Sequence, residues 1–261
     1  MTANRREFLK SGAWTCTLPF WNISVFEEDN LPGSIRNLQL QNSDHNPISL
    51  TERKQRIQRS QELMAEQRLD AIVMEGTTSC FYFTGMRWGQ SERTFVLIIP
   101  AEGSAAYVCP KFEEDRAREL IVPELGNEIR CWEEHENPFQ VIVNLIKDRG
   151  LVHHQIGIEE RVRFFISQGM RKEGPGIEWV DATPVTAGCR MIKSPAEISL
   201  LQKANDITIE AYKAAFAALQ PGMPRAVFSG YISKAFEKLG FSGGASVQVG
   251  KYSALPHGSI A

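Results

Sequence analysis

The 261-residue sequence has few cysteines and little net charge. Its five cysteines form no Cys-x-x-Cys motif, so neither a zinc knuckle nor a redox dithiol is indicated. We expect small, buried apolar side chains at Cys16, Cys80, Cys109, Cys131 and Cys189. A formal net charge of −2 gives no indication of binding to nucleic acid or to an anionic membrane surface. No apolar run is long enough to cross a bilayer, so no membrane span is predicted.

The composition is otherwise that of an ordinary globular chain. Hydrophobic residues make up 43% of the sequence and charged residues 23%, so a buried core can form. The length suits one or two domains. His45, His135, His153 and His154 belong to no recognisable metal-binding pattern, and we interpret them as surface loop residues.

A well-marked helix start lies beyond the middle of the chain. Ser194 followed by Glu197 predicts a capping box, in which each side chain bonds a backbone N–H of the first turn, and Pro195 suits the first helical position. Apolar residues then recur at steps of three and four, which predicts one buried face of a long helix ending before Gly222. They are Leu200, Ala204, Ile207, Ala211, Ala214 and Ala218.

Upstream of this helix, short apolar runs alternate with amphipathic segments. β-rich or apolar runs lie at 71–74, 81–85, 94–99, 105–109, 129–132, 155–158 and 178–181. Helices are predicted at 51–68, 112–120, 138–147 and 162–170, with a further helix at 224–239. This order predicts an α/β fold with a mixed sheet covered on both faces. The basic run Arg53, Lys54, Arg56 and Arg59 is interpreted as a solvated helix face.

Several of these segments together resemble a known family. The pattern Arg-x-x-Lys-Ser-Pro-x-Glu-Ile at 190–198 resembles the junction between the two domains of the creatinase/Xaa-Pro peptidase family, the pita-bread metallopeptidases. Leu-Asp-Ala-Ile-Val at 69–73, Tyr-Phe-Thr-Gly at 82–85 and Ile-Gly-Ile-Glu at 156–159 resemble motifs of the family's amino-terminal domain, in the same order. The resemblance covers roughly residues 49–261.

The resemblance implies a specific domain organisation. Residues 1–48 are then a leader and linker, and residues 49–189 a creatinase-like amino-terminal domain with a mixed sheet and helices on both faces. Residues 190–261 are the first helices of an incomplete pita-bread α+β catalytic domain. The polar stretch 27–46, with its Pro32-Gly33 pair, is typical of a linker.

The candidate site residue is His257. The segment Pro256-His257-Gly258 resembles the family's Pro-His-Gly segment, which implies that His257 is a catalytic and substrate-binding residue beside the metal centre. An imidazole can donate a hydrogen bond to a carbonyl or an oxyanion near neutral pH, so the residue type suits this task. The alternative is a turn histidine without a catalytic task.

The resemblance also implies two divalent metal ions in the full-length protein, with manganese as one candidate. In the family they are bound by two Asp, one His and two Glu, all downstream of the Pro-His-Gly segment. Two such ions can activate a water and polarise a carbonyl. No Asp or Glu follows Lys251, so we predict that this chain has no metal ligands and is an inactive fragment, truncated before them.

The function implied for the parent protein is an Xaa-Pro peptidase, either an aminopeptidase or a dipeptidase. Its substrates would be proline-containing peptides, whose tertiary amide lacks an N–H and restricts the backbone. The full-length protein would be a homo-oligomer, such as a dimer. The alternatives are a creatinase-like amidinohydrolase, which works without metal, and a non-catalytic oligomerisation or binding module. The presence of all five metal ligands downstream would favour the peptidase.

The amino terminus resembles an export signal. Asn4–Lys10 has the arginine pair, Phe, Leu and Lys of a twin-arginine signal in the expected order. This predicts export of the folded protein to the periplasm or the outside of the cell. The alternative is an ordinary basic amino terminus on a cytoplasmic protein.

Overall fold

The computed structural model describes residues 30–41, 46–153 and 155–254, which fall into two compact units. The first unit consists of residues 46–198, and the second combines the segments before and after it. The predicted leader at Asn4–Lys10 and the candidate residue His257 lie outside the described residues. None of the described helices is both long enough and apolar enough to cross a membrane.

The elements are numbered in chain order. The helices are α1 (Gly33–Arg36), α2 (Leu50–Gln67), α3 (Thr78–Thr84), α4 (Glu114–Leu120), α5 (Pro138–Asp148), α6 (Phe164–Glu173), α7 (Thr183–Met191), α8 (Pro195–Ala217) and α9 (Arg225–Lys238). The strands are β1 (Leu69–Glu75), β2 (Val96–Pro100), β3 (Ala106–Pro110), β4 (Glu128–Trp132), β5 (Gln155–Ile158) and β6 (Glu178–Asp181). Short 3₁₀ turns lie at Lys111–Glu113, Pro123–Leu125 and Gly250–Ala254.

The strands of the first unit form one mixed sheet in the order β4-β3-β2-β1-β5-β6. Strand β2 is antiparallel to both of its neighbours, and the remaining pairs are parallel. The apolar runs predicted at 94–99 and 105–109 form the antiparallel β2–β3 hairpin. Because β1, β3, β4, β5 and β6 run in the same direction, their carboxyl ends meet at one edge of the sheet.

Alternating side chains of the sheet contribute to two different cores. Ile72 and Met74 of β1 face a core completed by α2, α3, α4 and α7, whereas Ala71 and Val73 face a core completed by α5 and α6. Strands β2 and β3 alternate in the same way. Strands β1, β2 and β3 are largely apolar on both faces because both faces are covered, as expected for a largely parallel sheet. The predicted α/β fold class is confirmed.

The second unit has its own core between α8, α9 and the segment 30–41. The α8 residues Ile207, Ala211 and Ala214, and Ala218 directly after the helix, are buried there, as predicted. The prediction was wrong for the first part of the face, because Ala204 is exposed and Leu200 is only partly buried. A second, exposed stripe of α8 consists of Ile198, Leu201, Ile209 and Phe216, and the exposed Leu219 follows the helix.

The stretch predicted as a linker is partly structured. Leu31 and Ile35 are buried in the core of the second unit, and the Ser34 hydroxyl donates to the Ala214 carbonyl at 2.9 Å. The Pro32-Gly33 pair begins the short helix α1, since proline suits a helix start as well as a turn. The predicted domain boundaries themselves stay predictions.

The prediction of a β-rich run at 81–85 was wrong, because residues 81–84 belong to helix α3. The helix places Cys80 and Phe83 in the core, and Gly85 ends it in the left-handed region with φ of 82°. Tertiary packing outweighs the β-propensity of three consecutive aromatic residues. Sequence reasoning also missed α7, whose Val185 and Cys189 pack on the same core.

Candidate functional site

The best-defined polar cluster of the chain lies where α8 begins, at the junction that the sequence indicated. Arg56 of α2 is buried, with 7% of its surface exposed. One terminal nitrogen of its guanidinium donates to Glu52 Oε1 at 2.9 Å and to Glu197 Oε1 at 3.0 Å. The other donates to the Tyr82 carbonyl at 2.8 Å. One cation therefore binds α2, α3 and the first turn of α8, all within the first unit.

The predicted capping box is confirmed and is part of this cluster. The Ser194 N–H donates to Glu197 Oε2 at 2.8 Å, and the Glu197 N–H donates to Ser194 Oγ at 3.2 Å. The Ser194 hydroxyl donates in turn to Glu52 Oε1 at 2.7 Å. Each carboxylate thus bonds both the cap and Arg56, so the local helix signal and the tertiary contact are made by the same atoms. We call Glu52, Arg56, Tyr82, Ser194 and Glu197 the junction cluster.

Tyr82 packs against Arg56 and connects the junction cluster to α7. The Arg56 guanidinium lies over the Tyr82 ring, 4.1 Å from its centroid, in a cation–π contact. The Tyr82 hydroxyl donates to the Cys189 carbonyl at the end of α7, at 2.8 Å. Burial raises the pKa of this phenol to about 12, so it stays a neutral hydrogen-bond donor at physiological pH.

The interpretation of the basic run as a solvated face was wrong for Arg56. Lys54 and Arg59 are exposed, but Arg56 points from α2 into the fold. Arg56 is buried because it pairs with two carboxylates, Glu52 and Glu197, that are far apart in sequence. The spacing of positive residues on one helix contains no information about such distant carboxylates.

A second polar group lies at the carboxyl-end edge of the sheet. Glu75, the last residue of β1, accepts two hydrogen bonds from the Arg163 guanidinium at 2.6 and 2.9 Å. Its other oxygen accepts from the Arg163 backbone N–H at 2.8 Å and from the Gln90 side chain at 3.2 Å. The Glu75 side chain is 2% exposed. This paired carboxylate orients the loops that follow β1 and β5.

Glu159 lies beside it, directly after β5. Its carboxyl accepts from the Ser79 hydroxyl at 2.6 Å and from the Arg161 backbone N–H at 3.0 Å. Burial raises the pKa of this carboxyl above its ordinary value of 4.5, although these two hydrogen bonds oppose the shift. Glu159 belongs to the Ile-Gly-Ile-Glu motif found in the sequence, and its contact with Ser79 connects β5 to α3.

The chain that leads to His257 borders an apolar groove in the second unit. The groove has a volume of about 780 Å³ and lies between the end of α8, the start of α9 and residues 245–249. Phe216 and Phe228 meet edge to face on its wall, with ring centroids 5.1 Å apart. The Ser229 hydroxyl donates to the Ala245 carbonyl at 3.1 Å. This bond positions residues 245–249, which form the third side of the groove. His257 itself lies outside the described residues, so its predicted role stays a prediction.

The described residues do not provide a metal centre. Within 30–41, 46–153 and 155–254, no group of three or more His, Cys, Asp or Glu side chains could bind a metal ion. The carboxylates Glu75, Glu159 and Glu197 are each engaged in hydrogen bonds to neighbouring protein groups.

Comparison with known proteins identifies the first unit. Residues 56–192, more than half of the chain, match the family described as the creatinase/prolidase N-terminal domain. The chain belongs to this family. The matched region includes the whole sheet, begins at Arg56 within α2 and ends just before the capping box.

Relatives and solved structures agree with this assignment. An uncharacterized peptidase of Schizosaccharomyces pombe is 33% identical over 213 residues, which is 75% of this chain and 45% of that protein. The dipeptidase PepE from Mycobacterium ulcerans has a TM-score of 0.63 at 23% identity, over 70% of this chain and 48% of the other. A prolidase from Thermococcus sibiricus has a TM-score of 0.60 at 22% identity, over 70% and 49%. The chain thus spans about half the length of these proteins, and the structural likeness shows a shared fold.

The first prediction concerns the junction cluster. Arg56→Ala leaves the partly buried carboxylates of Glu52 and Glu197 without their cation, so we expect the free energy of unfolding of the first unit to fall by about 3–5 kcal/mol. The measurement is urea unfolding followed by tryptophan fluorescence, because Trp88, Trp132 and Trp179 all lie in this unit.

The matched control for this variant is Arg59→Ala, one turn further along α2. Arg59 pairs with Glu62, but its side chain is 52% exposed, so its loss should change the stability far less. Equal destabilisation by the two substitutions would show that Arg56 acts as an ordinary surface charge.

The second prediction concerns pH. Because the pKa of Glu159 is raised in the folded state, the folded wild type binds this proton more tightly than the unfolded chain does. The contribution of Glu159 is therefore most favourable below the ordinary pKa of 4.5 and is lost as pH rises through the higher folded value. Glu159→Gln does not titrate, so its stability relative to the wild type should increase as pH rises from 4.5 to the folded pKa of Glu159 and stay constant above that value.

The measurement is the urea midpoint of wild type and Glu159→Gln across the acid and neutral range. Glu102→Gln, on an exposed turn, serves as the control and should follow the wild-type curve. A difference between Glu159→Gln and wild type that does not vary with pH would contradict the assignment.

Proposed function

We propose that this chain forms the amino-terminal domain and the first catalytic-domain helices of an Xaa-Pro peptidase. The observation that carries the proposal is the creatinase/prolidase N-terminal domain at residues 56–192, followed directly by a helix whose capping box is bonded to that domain. The names of the relatives support the same class, since they are called peptidase, dipeptidase and prolidase. The substrate class we propose is a proline-containing peptide, cleaved by a dipeptidase or an aminopeptidase.

The proposed catalytic role of His257 follows from the Pro-His-Gly segment. Its ring N–H would donate to the substrate carbonyl or to the oxyanion that develops when water attacks. Gly258 would allow the backbone to approach closely without a side chain. We propose that the residues binding two divalent metal ions lie in a protein that extends this chain towards the length of its relatives, and that this protein is a homodimer.

The function is tested on three proteins: the 261-residue chain, the extended protein and its His257→Ala variant. Each is assayed on Xaa-Pro dipeptides and longer proline-containing peptides with added manganese, cobalt or zinc. We expect no turnover by the 261-residue chain and turnover by the extended protein. His257→Ala should lower kcat about 10²–10³-fold, as removal of an oxyanion donor does, with unchanged metal stoichiometry and Tm.

Several outcomes would contradict the proposal. Turnover by the 261-residue chain above a metal-only control would show that it is not an inactive fragment. Loss of bound metal in His257→Ala would make His257 a ligand, and unchanged kcat would make it a turn residue. Hydrolysis of creatine without metal would identify an amidinohydrolase, and a dimer without any activity would favour an oligomerisation module.

We also propose that the protein is exported through the twin-arginine pathway, on the basis of Asn4–Lys10. The receptor of such signals distinguishes a guanidinium pair from two ammonium groups, since arginine and lysine differ in hydrogen-bond geometry. Changing Arg5 and Arg6 together to Lys should therefore retain the protein in the cytoplasm of a bacterial host with this pathway. Cell fractionation and immunoblotting measure the distribution.

The control is Arg59→Lys, the same chemical change at an exposed position of α2. It should leave export unchanged. Equal recovery of the double variant and the wild type outside the cytoplasm would show that the arginine pair is not an export signal.

A further inference from the structure

Two cysteines that are distant in sequence are neighbours in the sheet. Strands β3 and β4 are parallel, and their register places Cys109 directly opposite Cys131. Residues opposite each other on adjacent strands point to the same face, so the two side chains meet. Their Sγ atoms are 3.8 Å apart, which is van der Waals contact between thiols. The sequence did not indicate a redox dithiol, because Cys109 and Cys131 are not part of a Cys-x-x-Cys motif.

The two thiols differ in access to solvent. Cys109 is fully buried in the core, which confirms the prediction of a buried apolar side chain. Cys131 is only partly buried, because β4 is an edge strand of the sheet. An external reagent can therefore reach Cys131 first, while Cys109 lies behind it within contact distance.

The surroundings of the pair are charged on the solvent side. The carboxylate of Glu114 lies near the Cys131 thiol and is bonded by Lys111 and Arg118. These bonds, chiefly the one from Lys111, lower the pKa of Glu114 to about 2, so it is ionised in the physiological range. Burial raises the pKa of both thiols, so they react slowly near neutral pH.

We propose that Cys109 and Cys131 form a reversible disulfide that links edge strand β4 covalently to β3. The oxidant is a disulfide of low molecular weight, such as glutathione disulfide. The Cys131 thiolate attacks one sulfur of the reagent, forming a mixed disulfide and releasing one thiol. The Cys109 thiolate then attacks Cys131 Sγ and releases the second thiol. Two protein thiols and one external disulfide thus give one protein disulfide and two external thiols.

The structure favours this bond over other pairings of the described cysteines. The bond requires the sulfurs to approach from 3.8 Å to about 2 Å, which side-chain rotation and a small strand adjustment can supply. Cys80 and Cys189 are buried residues of helices α3 and α7, respectively. The disulfide would close the loop between β3 and β4, which contains α4, and would stabilise the fold by restricting the unfolded chain.

The experiment uses the purified 261-residue chain with glutathione disulfide at about pH 8.5, where a larger fraction of each thiol is ionised than at neutral pH. Intact mass spectrometry should show the loss of two hydrogen atoms, and peptide mapping should join the peptides of Cys109 and Cys131. The Tm of the oxidised chain should rise by several degrees and return to its original value after reduction with dithiothreitol.

Three variants separate the steps. Cys109→Ala should stop at the mixed disulfide on Cys131, and Cys131→Ala should give neither the adduct at that position nor the internal bond. Cys189→Ala, in which another buried thiol is removed, should still form the Cys109–Cys131 bond. Wild-type protein that accumulates only the mixed disulfide, or that links either cysteine to Cys80 or Cys189, would overturn the proposal.

The wild-type measurement does not depend on the stability of any variant. If Cys109→Ala or Cys131→Ala fails to fold, peptide mapping of the oxidised and reduced wild type still identifies the bond. A wild-type chain that keeps both thiols free after prolonged exposure to the oxidant would also overturn the proposal.

Discussion

The start of the long helix α8 depends on one buried guanidinium. Arg56 offers several N–H donors in a fixed plane, so a single side chain can bond Glu52, Glu197 and the Tyr82 carbonyl while stacking on the Tyr82 ring. A buried charge is costly unless it is paired and hydrogen-bonded. Here the partners of Arg56 come from three helices, with Glu52 on α2, the Tyr82 carbonyl on α3 and Glu197 on α8. The position of the first turn of α8 is therefore coupled to α2 and α3 through a network that tolerates little rearrangement.

The sheet provides the frame for these contacts. Its central strands β1, β2 and β3 are largely apolar on both faces, so burial fixes the helices on either side of them. Glu75 and Glu159 both follow the apolar part of a parallel strand and bond the loops beyond it. The same register explains why Cys109 and Cys131 meet, although each is an isolated cysteine in the sequence.

Local patterns predicted most elements of the first unit. The apolar runs of β1, β2, β3 and β5 were recognised because burial on both faces leaves a continuous apolar signal in the sequence. The start of α8 was recognised because capping chemistry is confined to a few adjacent residues. The run at 81–85 was misread because three aromatic residues favour a strand locally, whereas the core required Cys80 and Phe83 on one face of a helix.

The sequence by itself determined the α/β class, the family resemblance and the capping box of Ser194 and Glu197, since each depends on residues close together in the chain. Only the tertiary structure decided that Arg56 is a buried partner of this box and that Cys109 contacts Cys131. The physical reason is the same in both cases. Charge pairing and thiol contact act over a few ångströms in space, and spacing along one helix or strand contains no information about which distant segment packs against it.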